Sequence, residues 1–141
     1  MTDPKLIEAF DKALDSIEYL GKREIATLRN LNSPALPVFL VFKALFILMD
    51  SKNLLWTNFA SEMEDHIAFK EKLKRLHKKL KEKNVIEAEK ILGQTTYDQT
   101  YIKSTDAGRI YNFVSNTINF FKIKQSLKPK DQEEQKHEDA K

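Results

Sequence analysis

The chain has 141 residues with no cysteine, three glycines, four prolines and a formal net charge of +3. This length fits one small domain with its own hydrophobic core, and the lack of cysteine excludes a disulfide scaffold, cysteine-ligated zinc and thiol catalysis. The scarcity of glycine and proline favours an all-α fold. The most apolar run, residues 38–49, is shorter than the roughly 20 residues of a membrane span and contains Lys43, so we predict a buried helix and no membrane partner.

The first predicted element is one long amphipathic helix over residues 5–32. Its apolar positions recur in steps of three and four, as in a coiled-coil seam, until a step of five residues between Leu20 and Ile25 shifts the seam around the helix. An ordinary packed helix with a weak point at Gly21 fits the pattern equally well. The predicted seam comprises Leu6, Phe10, Ala13, Ile17, Leu20, Ile25, Leu28 and Leu31. Weak self-association is expected if this seam is exposed.

Two prolines, Pro34 and Pro129, interrupt the helical pattern on either side of the central part of the chain. Proline removes a backbone donor and clashes with the preceding turn, so each is predicted to mark a hinge or kink. Ser33 is predicted to cap a helix that begins at Pro34 and continues through the apolar run. Beyond Pro129 the sequence is charged, with three basic and five acidic residues in positions 130–141.

Shorter helical patterns follow the apolar run. A segment over residues 54–63 is predicted to pack Trp56 and Phe59 onto the apolar helix. Residues 65–92 are predicted to form one helix or two, ended by Gly93.

The last predicted element is a long helix that runs towards Pro129. A polar loop over residues 94–100 is predicted before it, and either Ser104 or Thr105 is predicted to cap it.

No arrangement of residues is typical of an enzyme. Gly21-Lys22 lacks the upstream glycine and the following Ser or Thr of a phosphate-binding loop. His66, His77 and His137 do not have the paired spacing of a metal site. We therefore predict no catalytic residue, no metal site and no cofactor.

Eight basic residues between positions 70 and 83 form the strongest local signal. A solvated helix face is the usual explanation of such a run. A cationic surface for an acidic polymer is the functional alternative, and its affinity would fall as salt rises. Lysine dominates over arginine and no Phe, Tyr or Trp lies within the run, so nucleic acid is not the predicted partner.

Several short motifs occur in a fixed order along residues 11–130. They are Ile25-Ala-Thr-Leu-Arg-Asn-Leu-Asn-Ser-Pro34, Val38 through Ala44, Trp56 followed by Asp65 and Phe69, Ser104 through Val114, Phe120-Phe121, and Leu127-Lys-Pro129-Lys130. Their order and spacing resemble the microtubule-binding domain of a dynein heavy chain with the adjoining ends of its stalk coiled coil. The first and last motifs are more similar to axonemal, outer-arm-type chains than to cytoplasmic ones.

The resemblance implies an all-α fold in which a small helical bundle, the head, is carried on two antiparallel coiled-coil strands. It divides the chain into a first stalk strand (5–33), a microtubule-binding head (34–112), a last head helix running into the second strand (113–129) and a charged tail or strand end (130–141).

The resemblance also implies function. The head would bind the α/β-tubulin of a microtubule with an affinity coupled to coiled-coil register, and the rest of the dynein heavy chain would be its other partner. ATP hydrolysis would lie in a ring domain of that parent chain, so this segment is not predicted to be an enzyme. The implied location is the cytoplasm and cytoskeleton, in the axoneme of a cilium or flagellum.

Two sets of cations are predicted to contact the filament. The first is Lys43, Lys52, Lys103 and Arg109, and the second is Lys74, Arg75, Lys78 and Lys79. Asp106 and Asp65 are alternative, intramolecular partners for Arg109. The alternative function is a helical adaptor that binds a protein partner through the apolar seam of residues 6–31, in a manner insensitive to salt.

Overall fold

The structure, a computed structural model, describes residues 3–127, which form α-helices, one short 3-10 helix and no β-strand. The helices are α1 (Pro4–Ser16), α2 (Lys22–Arg29), α3 (Leu36–Leu48), α4 (Trp56–Glu62), α5 (His66–Arg75), the 3-10 helix (Leu76–Lys78), α6 (Glu82–Leu92), α7 (Tyr97–Lys103) and α8 (Thr105–Ser126). The predicted all-α class is confirmed. None of these helices combines the length and the apolar character that crossing a membrane requires.

Helix α3 lies at the centre of the hydrophobic core, as its nearly continuous apolar sequence predicts. Its aromatic side chains stack on α4: the ring centroids of Phe46 and Phe59 are 4.3 Å apart, and those of Phe42 and Trp56 are 5.2 Å apart in an edge-to-face arrangement. The predicted packing of Trp56 and Phe59 on the apolar helix is therefore confirmed. Such pairs add to the free energy gained from burial alone.

The start of α3 differs from the prediction. Ser33 does not cap it and Pro34 is not its first residue; the helix begins at Leu36, and Pro34 lies in the linker after α2. A helix begun at Pro34 would place Pro37 in its fourth position, where the ring clashes with the carbonyl four residues earlier. Beginning at Leu36 instead places Pro37 second in the helix, where no backbone donor is needed.

The single helix predicted over residues 5–32 is wrong, because the chain leaves the helical conformation between Ser16 and Lys22. This break coincides with the five-residue step in the apolar pattern. Turns at this point place both Ile17 and Leu20 in the core, at 1% and 0% exposure. The Glu24 carboxylate then accepts a hydrogen bond from the Gly21 backbone N–H at 3.1 Å and so caps α2.

The predicted seam is largely buried within the chain: its α1 part packs on α8, and its α2 part contacts α4, α5 and α8. Six of its residues are buried (Leu6, Ala13, Ile17, Leu20, Ile25 and Leu28), while Phe10 and Leu31 are half-buried. Helices α1 and α8 run antiparallel: Asn116 hydrogen-bonds to Ser16, and Phe120 clusters with Leu6. Weak self-association was expected only for an exposed seam, and within the described residues the seam is largely buried; self-association itself stays a prediction.

The core is continuous across the boundaries that the resemblance places at residues 33 and 112. Ile25 and Leu28 belong to the same cluster of buried residues as the side chains of α3. Helix α8 runs without interruption through position 112. The division into strand, head and second strand remains an interpretation. Pro129 and the charged tail (130–141) lie outside the described residues.

Two further predictions concern the region before α8. The polar loop predicted over residues 94–100 is wrong in its second half, because α7 begins at Tyr97. A reciprocal pair of hydrogen bonds between Thr96 and Gln99, each 3.1 Å, starts this helix. Ser104 is confirmed as the cap of α8, since its hydroxyl accepts from the Ala107 N–H at 3.1 Å.

Candidate basic surface

The second predicted set of cations lies on the outer face of α5 and of the 3-10 helix that follows it. Buried Phe69, Leu73 and Leu76 hold the inner face against the core. Since these apolar positions recur every three or four residues, the intervening side chains point to solvent. The cations exposed in this way are Lys72, Lys74, Arg75, Lys78 and Lys79.

Three of these cations have no acidic partner among residues 3–127. Lys72 pairs with Glu62, and Lys74 lies 3.6 Å from Glu71. The ion pairs formed within the described residues do not include Arg75, Lys78 or Lys79, which we call the basic strip. Cations in the last turn of α5 also offset the partial negative charge at its carboxyl end, so the local fold favours them.

An open groove of about 510 Å³ lies beside the basic strip, between the end of α3, α4, α5 and the 3-10 helix. Phe46, Met49 and Leu76 contribute apolar side chains to its lining, and Arg75 and Lys79 also line it. Its remaining lining residues are Ser51, Glu62, Ala68, Glu71 and Lys72. The groove thus combines apolar side chains with three cations and two acids.

Lys52, from the first predicted set, belongs to a separate ionic cluster centred on Asp50. The Asp50 carboxylate accepts a hydrogen bond from Lys81 at 2.7 Å and one from Asn84 at 3.1 Å, and it lies 3.4 Å from Lys52. These interactions, the Lys81 bond first, hold the pKa of Asp50 well below its usual range. Asp50 therefore remains an anion and partly neutralises the cations around it.

Asp50 also ends α3, in a way that the sequence did not indicate. Its φ of 61° is in the left-handed region, where glycine is usual and Asp is tolerated. The N–H of Ser51 then reaches the carbonyl of Phe46 at 2.9 Å, and the N–H of Asp50 reaches that of Ile47 at 3.0 Å. This Schellman-type ending places the Asp50 carboxylate next to the start of α6.

Arg109, also from the first set, is engaged at the junction of α1 and α2. Its guanidinium bonds to Asp106 at 3.0 Å and lies over the ring of Tyr19, 5.8 Å from the centroid. Burial raises the pKa of Asp106, against the opposing effect of Arg109. Asp106, rather than Asp65, is thus the intramolecular partner of Arg109.

The other two members of the first set, Lys43 and Lys103, lie on different helices. Lys43 is half-buried on the one partly exposed side of α3, and Lys103 is exposed at the end of α7. The first set is therefore spread over separate elements, and two of its members, Lys52 and Arg109, lie against the acids Asp50 and Asp106. Of the two predicted sets, the second is therefore the better candidate for a surface.

His77 occupies an aromatic cluster next to the basic strip, a role that its sequence position did not reveal. Its ring centroid lies 4.3 Å from that of Phe10 and 5.8 Å from that of Phe120, and its Nδ1 lies 3.2 Å from the Lys74 carbonyl oxygen. Burial lowers the pKa of His77, and the charges of Lys78 and Lys124 lower it further. The only sequence signal for this role was that His77 directly follows Leu76 and so lies near the inward side of the helix.

Comparison of the chain with protein-family models found no family that matches, and comparison with curated proteins found no match either.

Proposed function

We propose that this chain binds the acidic surface of a microtubule as the stalk head of a dynein heavy chain. The observation that carries the proposal is the basic strip, because Arg75, Lys78 and Lys79 are exposed and none of them pairs with an acid among residues 3–127. Cations arranged in this way suit a polyanionic protein surface and would accelerate association with it. The order of sequence motifs selects the microtubule among such surfaces.

The proposed architecture assigns residues 34–112 around α3 to the head, α1 and α2 to the first stalk strand (5–33), and α8 from residue 113 to the helix that runs into the second strand. The antiparallel packing of α1 on α8 supports this assignment, since the two strands of a stalk must meet in that orientation. Affinity would be coupled to this contact if it has two registers, each matched to a different head conformation. The partner beyond tubulin would be the rest of the heavy chain, whose ring domain would hydrolyse ATP, and the proposed location is an axoneme.

The adaptor alternative finds no supporting contact in the described residues. It requires the seam of residues 6–31 to be available to another protein. Ile17 and Leu20 instead lie fully within the core, and Leu6 packs against Phe120.

Cosedimentation with stabilised microtubules over a series of salt concentrations tests the proposal. The chain should bind at low salt and dissociate as salt rises, because the contacts are between exposed charges. The triple variant Arg75→Ala/Lys78→Ala/Lys79→Ala should bind roughly tenfold more weakly, since three surface contacts of about 0.5 kcal/mol each total about 1.5 kcal/mol. Failure of the unaltered chain to bind at low salt would contradict the proposal.

A matched control is available in Lys22→Ala/Arg23→Ala/Lys90→Ala. These three cations are also exposed and also lack an ion pair among residues 3–127, so the change in net charge is the same. Binding should be nearly unchanged in this variant. An equal loss in both variants would show that net charge, and not the basic strip, controls binding.

A further inference from the structure

We propose that the acidic segment at residues 131–139 of this chain docks on the basic strip and competes there with acidic partners. The basic strip would then be partly occupied by the chain's own tail in the absence of a partner.

The end of α8 packs on the 3-10 helix that carries Lys78, which places the start of the tail near the basic strip. Phe120 packs edge-on against His77, the residue immediately before Lys78. One turn later, Ile123 joins Leu80 in the cluster around Phe120. The side chains near the end of α8 thus contact the 3-10 helix, which carries part of the basic strip. The last described residues of α8 follow directly after them.

Charge and length both suit this occupant. Residues 131–139 contain five acidic residues and one lysine, Lys136. Fourteen residues follow Leu127 in the chain. At about 3.3 Å per residue an extended segment of this length reaches about 45 Å, several times the separation that a neighbouring surface requires.

The contact would be electrostatic and reversible. Ala140 is the only apolar residue after Pro129, so the acidic segment has nothing to fill the apolar part of the groove. Individual exposed ion pairs contribute little, but a short tether gives an effective concentration in the millimolar range. Tail and partner would then exchange on the basic strip, and added salt would weaken both.

Paramagnetic broadening of NMR signals tests the docking directly. The chain has no cysteine, so Ala140→Cys provides one unique site for a nitroxide label. At low salt the label should remove most of the amide signal intensity of residues 75–79. The signals of α7 serve as the internal control, because α7 packs on the first half of α8: the rings of Tyr97 and Tyr111 are 6.1 Å apart, and Tyr111 is about 22 Å along the helix from Ser126.

A matched variant carries the same label with the tail acids neutralised: Asp131→Asn, Glu133→Gln, Glu134→Gln, Glu138→Gln and Asp139→Asn. Broadening of residues 75–79 should disappear in this variant, and also in about 0.5 M salt, where charges are screened within a few ångströms. Broadening that persists in the neutral variant, or that affects α7 as strongly as residues 75–79, would overturn the proposal. So would signals of residues 75–79 that the label leaves unchanged at low salt.

A second copy of the chain is the competing occupant, and isotope mixing separates the two. In a mixture of spin-labelled chain without isotope and isotope-labelled chain without spin label, broadening within one molecule cannot appear. Broadening of residues 75–79 in that mixture would assign the basic strip to a second copy and overturn the proposal.

Competition with a filament can be measured in the same variants, and this part rests on the proposed function. Neutralising the tail should increase microtubule affinity several-fold at low salt and have little effect at high salt. If the NMR contact is present but microtubules do not bind, the proposed function fails and the docking stands; if microtubules bind but the NMR contact is absent, the docking fails alone.

Discussion

The two hydrophobic clusters of this molecule differ in how many elements they join. The main core includes side chains from α2 to α6 and from α8, together with Ala13 of α1, with stacked aromatic rings from three successive helices at its centre. The second cluster consists of Leu6, Ala9 and Phe120, with Phe10, Leu80 and Ile123 packed around them. It holds the first half of α1 against the end of α8.

The difference shows which part of the chain can open without unfolding the rest. Segments held by few apolar contacts open at a lower free energy than those in the centre of a core. The first half of α1 satisfies this condition, whereas Ile17 and Leu20, at its end, are anchored in the main core. If the chain is a stalk head, as proposed, this half of α1 belongs to the contact with α8 that would change register.

The largest expected effect comes from removing an aromatic ring from the main core. Phe46→Ala should lower the free energy of unfolding by about 3–5 kcal/mol, because the ring is fully buried and its neighbours on α4 and α5 cannot close the cavity. Urea unfolding followed by circular dichroism measures this change. Ile86→Ala, at an exposed position of α6, should change it by less than about 0.5 kcal/mol. A loss from Phe46→Ala no larger than that of this control would show that the main core is not the dominant one.

A smaller and more local effect is expected in the second cluster. Phe10→Ala should cost about 1–2 kcal/mol, since the ring is half-buried and pairs with only His77 and Phe120. Hydrogen exchange should accelerate in residues 7–16 while the amides of α3 keep their protection. Equal acceleration in α3 would mean that the two clusters open together.

The smallest effect is a pH dependence confined to the second cluster. Because the pKa of His77 is lowered on folding, the unfolded chain binds more protons than the folded chain just below the ordinary value of about 6.5. The contribution of His77 is fully present above that pH and is lost as the pH falls through the unfolded and then the folded pKa. Lys78 and Lys124 oppose protonation in the folded chain.

Unfolding free energies at pH 7.5 and 5.5 measure this dependence in the unaltered chain and in His77→Gln. In His77→Gln the unfolding free energy should decrease less between pH 7.5 and pH 5.5 than in the unaltered chain. In His66→Gln, at the start of α5, it should decrease as much as in the unaltered chain. A decrease of the same size in all three proteins would assign it to other groups.

The helices that could be predicted from sequence are those whose own residues determine where they lie or where they begin, without reference to distant parts of the chain. The apolar run that forms α3 is too hydrophobic to lie anywhere but in a core, and Ser104 supplies the cap that α8 needs. The break before α2 was marked by a five-residue step, yet its outcome depended on α8, which lies about a hundred positions away. The step indicated a weak point without showing that the helix would end there.

The candidate surface was predictable to a similar degree. Alternation of cations with Leu73 and Leu76 places Arg75 and Lys79 on an outer face, so sequence alone selects them. The pairing of Lys52 with Asp50 could not be predicted in this way. It depends on an Asp50 conformation usually occupied by glycine, and on Lys81, which is 31 positions from Asp50.

The hydrogen bond between α4 and the linker before α3 gives the molecule a built-in optical reporter. The indole N–H of Trp56 donates to the carbonyl of Leu31 at 2.8 Å, and Trp56 is the only tryptophan in the chain. Indole emission shifts to longer wavelength when the ring is exposed to water. Its spectrum therefore reports, without any added dye, whether the linker containing Pro34 moves. The spectrum can be recorded when a filament is added and, separately, when the opposite end of the molecule opens.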